Sequence, residues 1–213
     1  MRRRLCGGIL VAAAVALSVT DSAAQETGTP MFKAPYRAFN THEFGAAFSD
    51  PGEGVSFALE GFYSYGRGPY DLSIRGGFSE LSDETFNGVE IGGGTRILLG
   101  GDFRTRLVSY SESFPLDGAL TVGLGANVGD GDDAYFVPVG FSLGRRFELE
   151  NSNTVFTPYA HPVIVPRFGG GDSNVDFALG LGVDLRFSRS FGVRVSGGVG
   201  DIEGVGIAAT YIR

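Results

Sequence analysis

Residues 175–187 alternate strictly between apolar side chains and polar or small ones. The apolar parity holds Val175, Phe177, Leu179, Leu181, Val183, Leu185 and Phe187, and the other holds Asp176, Ala178, Gly180, Gly182, Asp184 and Arg186. A period of two residues is that of an extended strand. An ordinary strand has about 5 or 6 residues. A tilted strand that crosses a bilayer needs about 9 to 11, with an apolar outer face and a polar or small inner face. The run therefore predicts a transmembrane barrel strand.

The same alternation recurs along the chain and predicts ten strands. They cover residues 43–49, 55–65, 70–78, 89–99, 120–129, 135–143, 155–168, 175–187, 191–199 and 205–211. The predicted fold class is therefore all-β, an up-and-down antiparallel transmembrane β-barrel, and an even strand count is usual for such single-chain barrels. Eight strands are the alternative, if the first or the seventh does not form.

Two stretches depart from the regular pattern. The seventh strand carries Pro158, Pro162 and Pro166 on one parity, and because proline cannot donate to a strand ladder, this predicts bulges or locally missing bonds. Residues 100–117 fit a further strand, an extension of the fourth strand or an irregular connection.

Charged side chains within the strands fall mostly on the inward parity. They are Glu60, Asp71, Arg75, Glu90, Arg96, Asp176, Asp184, Arg186 and Arg194. An arginine facing lipid at mid-membrane costs roughly 2 to 4 kcal/mol, so a bilayer would enforce this sorting. Buried charges are normally paired. The nine residues are therefore predicted to form a charge network that plugs the lumen, with a narrow water-filled path as the alternative.

Every second connection between the predicted strands is acidic and lacks lysine and arginine. The acidic residues are Asp50, Glu53, Asp83, Glu84, Asp130, Asp132, Asp133, Asp172, Asp201 and Glu203, whereas the intervening turns include Arg67 and Arg189. Up-and-down strand order predicts that all five acidic connections lie at one end of the barrel.

The amino terminus is typical of a secretory signal. Residues 2–4 are arginines, residues 9–19 are apolar apart from Ser18, and small residues at 22–24 precede Gln25. The predicted domain organisation is a signal peptide at 1–24, a periplasmic linker at 25–41 and the barrel at 42–213. Prolines in 25–41 and the absence of periodicity also fit a short segment inserted into the lumen.

The glycine-rich alternating strands, such as Gly180-Leu181-Gly182-Val183-Asp184-Leu185-Arg186-Phe187, resemble those of small outer-membrane β-barrel proteins of double-membraned bacteria, over about residues 43–211. The resemblance implies a location in the bacterial outer membrane, contact with its lipid and lipopolysaccharide, insertion by the barrel insertion machinery and a monomeric state. It implies a structural, adhesive or surface-interaction role. The alternatives are a narrow passive pore for small solutes and, less favoured, a membrane-embedded lipid A hydrolase.

The sequence predicts no catalytic residue, metal site or cofactor. The chain has two imidazoles, His42 and His161, and some resembling barrels are hydrolases that use histidine, but a structural histidine is the preferred interpretation. The glycine runs at 92–94 and 169–171 lack the features of a phosphate loop. Residues 130–133 lack the ligand spacing of a calcium loop. The net charge of −7 argues against nucleic acid. A soluble binding barrel is a further alternative and would hold its apolar side chains inside.

Overall fold

A computed structural model describes residues 32–35, 41–52, 54–82, 84–86, 89–91, 93–150, 152–169 and 172–213. The regular secondary structure of this part of the chain consists of strands. The strands are β1 Thr41–Asp50, β2 Val55–Arg67, β3 Tyr70–Leu81, β4 Glu84–Phe86, β5 Val89–Ile91, β6 Thr95–Val108, β7 Asp117–Gly129, β8 Ala134–Phe136, β9 Val139–Gly144, β10 Phe147–Glu148, β11 Val155–Gly169, β12 Asp172–Arg186, β13 Phe191–Gly200 and β14 Gly204–Ile212. Within the described ranges no helix is long and apolar enough to span a membrane.

The strands form a closed antiparallel barrel with ten positions in its wall. Nine positions are single long strands, and the tenth, between β7 and β11, is shared by the short strands β8, β9 and β10. The wall closes where β1 pairs with β14, in a register that runs from Glu43↔Ile212 to Asp50↔Val205. The prediction of a ten-stranded all-β barrel is confirmed.

The fourth predicted strand needs a correction. Residues 89–91 belong to a two-stranded hairpin of β4 and β5 that is separate from the barrel sheet, and the wall strand β6 starts only at Thr95. Glycines 92–94 separate the two pieces, and glycine weakens a strand because it has no side chain to pack. Of the three alternatives for residues 100–117, the strand extension is the observed one, since β6 continues to Val108 before an irregular connection.

The three prolines of β11 interrupt the strand beside it. β11 itself is continuous and pairs with β12 without a register shift. On its other side, Pro158 and Pro166 only accept hydrogen bonds, from Arg145 N at 3.3 Å and Val137 N at 3.0 Å. Each proline lacks the N–H that would complete its pair. The missing bonds predicted from the prolines therefore fall in the wall position divided among β8, β9 and β10.

Apolar side chains cover the outer wall. On β12, Phe177 is 54% exposed and Leu181 50%, while Asp176 between its apolar neighbours is buried. Ile74 on the opposite part of the wall is 60% exposed. A soluble binding barrel would have the reverse orientation, so this observation removes the support for that alternative.

The two ends of the barrel differ in charge. Antiparallel order places the strand ends that flank all five acidic connections at one end, which we call the acidic rim (near residues 50–55, 81–95, 129–134, 169–172 and 200–204). The other end, the terminal rim, holds Thr41, Arg213 and the turns near residues 67–70, 108–117, 148–155 and 186–191. A cluster of buried apolar residues fills the interior toward the acidic rim, and it includes Phe136, Val165, Ala178 and Ile202.

Candidate functional site in the barrel lumen

A short segment from before the barrel, residues 32–35, lies inside the lumen. All four residues are buried, and Phe32 has no exposed surface. Of the two interpretations of this region, linker at the mouth or segment in the lumen, these four residues adopt the second. Inward-facing side chains of the wall surround these four residues, and we therefore take the segment and its contacts as the candidate functional site.

Lys33 binds four strands of the wall. Its ammonium group donates to Ser73 Oγ at 2.9 Å and forms an ion pair with Asp102. Its backbone N–H donates to His161 Nδ1 at 3.1 Å, and its carbonyl accepts a hydrogen bond from Ser142. These contacts reach β3, β6, β9 and β11, so one residue connects four of the ten wall positions.

Phe32 fits into a space that glycines leave open. A Cβ atom on Gly180 would overlap the Phe32 ring, and one on Gly198 would lie 2.9 Å from Phe32 Cε2. The hydroxyl of Tyr159 donates to the Phe32 carbonyl at 3.2 Å. The inward parity of β12 and β13 therefore carries glycine where the aromatic ring packs.

The other end of the segment is held by an arginine. Arg104 donates to the carbonyl of Ala34 and, through Nε, to Asp71 Oδ2 at 2.7 Å. Pro35 packs against Gly144, where an added Cβ would lie 3.0 Å from the proline ring. Because Pro35 contacts residues near the terminal rim and Phe32 lies deeper, the segment enters from the terminal rim.

His161 is a lumen residue and is 1% exposed. Its Nδ1 accepts a hydrogen bond from Lys33, so the neutral ring carries its proton on Nε2. Nε2 lies 2.7 Å from Thr121 Oγ1, which accepts that proton in a hydrogen bond. Both ring nitrogens are therefore used to fix the segment against β7 and β11.

Four of the nine predicted lumen charges form two ion pairs, each between neighbouring strands. Arg194 Nη2 lies 3.2 Å from Asp184 Oδ2. Arg75 Nε lies 4.0 Å from Glu60 Oε1. Cross-strand neighbours are about 5 Å apart at Cβ, which explains why these partners lie beside each other in the wall and do not reach across the lumen.

The other predicted charges have different surroundings. Asp71 pairs with Arg104, Arg96 donates to the carbonyl of Asp132, and Asp176 accepts from Asn174 at 2.8 Å. Arg186 lines a space at the terminal rim together with Arg146 and Asp184. Glu90 lies in the separate hairpin strand β5, and its side chain is outside the described part of the structure.

Sequence reasoning missed four charged members of the site: Lys33, Glu43, Asp102 and Arg104. Glu43 lies 3.2 Å from Arg194 and stands on the inward parity of the first strand, so its signal was present. Asp102 and Arg104 lie in the stretch that was left open. Lys33 precedes the barrel, where no periodic pattern marks it.

The lumen also contains empty space beside the segment. The cavity measures about 30 Å³, and its lining includes Lys33, Arg75, Asp102 and Arg194. A cavity of this size holds about two water molecules.

The remaining motifs have local structural partners. Asp130 Oδ2 accepts from Thr95 N at 2.9 Å, and Asp133 Oδ1 accepts from Gly129 N at 3.4 Å. His42 Nδ1 lies 2.8 Å from the Tyr63 hydroxyl. Among the described residues, no group of three histidine, cysteine, aspartate or glutamate side chains could hold a metal ion. The glycine runs at 92–94 and 169–171 lie partly outside the described residues.

Comparison with solved structures supports the fold. The chain is similar to the β domain of the Bordetella autotransporter Brka, with a TM-score of 0.53 and 16% identity. The match covers 81% of this chain and 98% of that chain. No protein-family model and no curated protein sequence matches the chain. At the level of fold, the resemblance to outer-membrane β-barrels is confirmed.

Proposed function

We propose that the protein is a β-barrel of the bacterial outer membrane whose lumen is closed by residues 32–35 and by ion pairs. Its role is structural or a surface interaction through the acidic rim. The observation that carries the proposal is the seating of Lys33, which hydrogen-bonds to four wall positions inside the barrel. A segment held in this way obstructs the path that a pore requires.

The outer wall supports a membrane location. Aromatic pairs lie near the terminal rim, where ring centroids are 6.3 Å apart for Tyr70 and Phe103 and 5.1 Å for Phe191 and Tyr211. Toward the acidic rim, Phe57 contacts both Phe48 and Phe78. Two aromatic girdles on either side of an apolar band are typical of barrels in a bilayer. Closure of the wall also satisfies the backbone in hydrocarbon.

In this proposal the terminal rim faces the periplasm and the acidic rim faces outward. Lipid and lipopolysaccharide contact the apolar wall, and the barrel insertion machinery places the chain in the membrane. The barrel acts as a monomer, because one chain closes the wall without help from a second.

The proposal includes no catalytic role. Its support is the state of His161, whose two ring nitrogens are both engaged in the lumen, away from the lipid-facing wall. A general base must lie within hydrogen-bond reach of the proton that it abstracts from substrate or nucleophile, and His161 is buried in the lumen.

The test combines membrane insertion with conductance. The purified full chain, inserted into lipid vesicles, should float with them and should migrate differently on a gel before and after boiling. In planar bilayers it should give no current steps above background. Failure to insert would contradict the membrane proposal.

A narrow pore is the second candidate, and the small cavity of about 30 Å³ beside Lys33 is the observation that favours it. Inserted protein that gives reproducible current steps would establish this candidate and contradict the closed lumen.

A further inference from the structure

Arg145 points away from the lumen, unlike the charged strand residues described above. It lies between β9 and β10 at the terminal rim, on the same parity as Leu143 and Phe147 of the outer wall. Its backbone N–H bonds to the Pro158 carbonyl at 3.3 Å, which keeps it in the wall. In the proposed membrane, its guanidinium is therefore at the level of lipid headgroups.

Two aromatic rings hold the guanidinium in place. Arg145 Cζ lies 4.8 Å from the centre of the Tyr110 ring and 5.1 Å from that of Phe147. Phe147 stacks on Phe156, with centroids 5.0 Å apart and an angle of 15°. The Tyr110 backbone N–H is fixed to Asp117 Oδ1 at 3.0 Å. The cation is thus positioned before any ligand binds, which lowers the entropic cost of binding.

Arg145 has no carboxylate partner within the described part of the chain. The neighbouring Glu148 pairs with Arg146 instead, at 2.9 Å. An arginine fork that stands at a membrane surface without an acidic partner is suited to a phosphate group.

The connections that carry Tyr110 and Phe147 include exposed apolar side chains as well as the exposed Glu112 and Glu150. Phe114 is 41% exposed and Leu149 49%, and the two rings beside Arg145 are exposed as well. Free phosphate gains nothing from such a surface. A phospholipid gains from both parts, since its phosphate meets the cation and its acyl chains meet the apolar side chains.

We infer that Arg145, Tyr110 and Phe147 form a binding site for the phosphate of a membrane phospholipid, with Phe114 and Leu149 against its acyl chains. The inference rests on the proposed membrane location and specifies which lipid group binds at one position of the outer wall. An anionic headgroup such as that of phosphatidylglycerol suits the site best, because it brings no cation to compete with Arg145.

The experiment is native mass spectrometry of the full chain in detergent micelles. The probes are phosphatidylglycerol, diacylglycerol with the same acyl chains and inorganic phosphate. The variants are Arg145→Gln and, as the matched control, Arg189→Gln, which removes an exposed arginine from a turn at the same rim. Gel migration before and after boiling confirms that each variant is folded.

Wild type should retain phosphatidylglycerol more strongly than diacylglycerol and should not retain inorganic phosphate. Arg145→Gln should weaken phosphatidylglycerol binding about five-fold, as expected for one cation at a lipid surface, and Arg189→Gln should leave it unchanged. Equal loss in both variants, equal retention of diacylglycerol, or binding of inorganic phosphate would each overturn the inference. If the wild type inserts into vesicles but shows none of this selectivity, the inference fails while the membrane proposal stands.

Discussion

At the scale of single residues, Gly180 determines whether the segment fits the lumen. A side chain at this position would overlap the Phe32 ring. We expect Gly180→Val to expel residues 32–35 and expose Lys33, which is the only lysine in the chain. Lysyl endopeptidase should then cut the variant at one site and leave the wild type intact.

Gly61→Val is the matched control for this prediction. Gly61 faces outward, and the nearest atom to its added Cβ would be 4.0 Å away. The Gly61→Val protein should remain as resistant to lysyl endopeptidase as the wild type. A folded Gly180→Val protein that also resists cleavage would contradict the placement of Phe32.

The ion pair of Lys33 provides a second prediction at this scale. The side chains of Lys33 and Asp102 are only 11% and 13% exposed. Asp102→Asn removes the carboxylate charge that pairs with the buried ammonium, so the free energy of unfolding in lipid vesicles should fall by about 3 kcal/mol. The measurement is urea unfolding.

Glu148→Gln breaks an exposed pair and serves as the comparison. The Glu148 side chain is 70% exposed, and exposed pairs contribute at most about 1 kcal/mol. Equal effects of the two substitutions would show that the Lys33 pair is not buried in the membrane-inserted protein.

At the scale of elements, the prolines of β11 set the local stability of the wall. Pro162 stands opposite Phe141 by the register of β11 and β9, and it cannot donate the hydrogen bond expected there. Backbone amides of β8 and β9 should therefore exchange with solvent faster than those of β12. Pro162→Val should slow exchange near Phe141, measured by hydrogen–deuterium exchange with mass spectrometry.

Ile164→Val, on the same strand, is the control for that exchange experiment. It changes a side chain of the same face but adds no N–H group. Slower exchange in both variants would mean that side-chain packing, and not the missing donor, makes this part of the wall labile.

The sequence predicts strands well because one side chain in two lies on the apolar outer wall. Ile97, Leu99, Phe103 and Leu107 keep this parity along β6, but Gly101 and Thr105 weaken the signal, so the strand extension could not be assigned. The inward parity is less constrained, since ion pairs, glycine and apolar residues such as Leu98 all occur there. Contacts of Lys33 depend on residues far away in sequence, and no local pattern specifies them.

At the scale of the whole molecule, the distribution of charge between wall and lumen provides a test of the proposed bilayer around the barrel. Leu181 lies near the middle of β12 and Val175 near its acidic-rim end, and both face outward, 50% and 63% exposed. An arginine on the lipid face costs about 2 to 4 kcal/mol at the midplane and about 0 to 1 near the interfaces.

Leu181→Arg should therefore lower the free energy of unfolding in lipid vesicles by about 2 to 4 kcal/mol, and Val175→Arg by no more than about 1 kcal/mol. Urea unfolding followed by gel migration without boiling measures both. In water an outward arginine carries no such cost, because its charge stays hydrated. If the two variants unfold like the wild type, the apolar outer wall does not contact hydrocarbon, and both the membrane location and the lipid site at Arg145 would have to be abandoned.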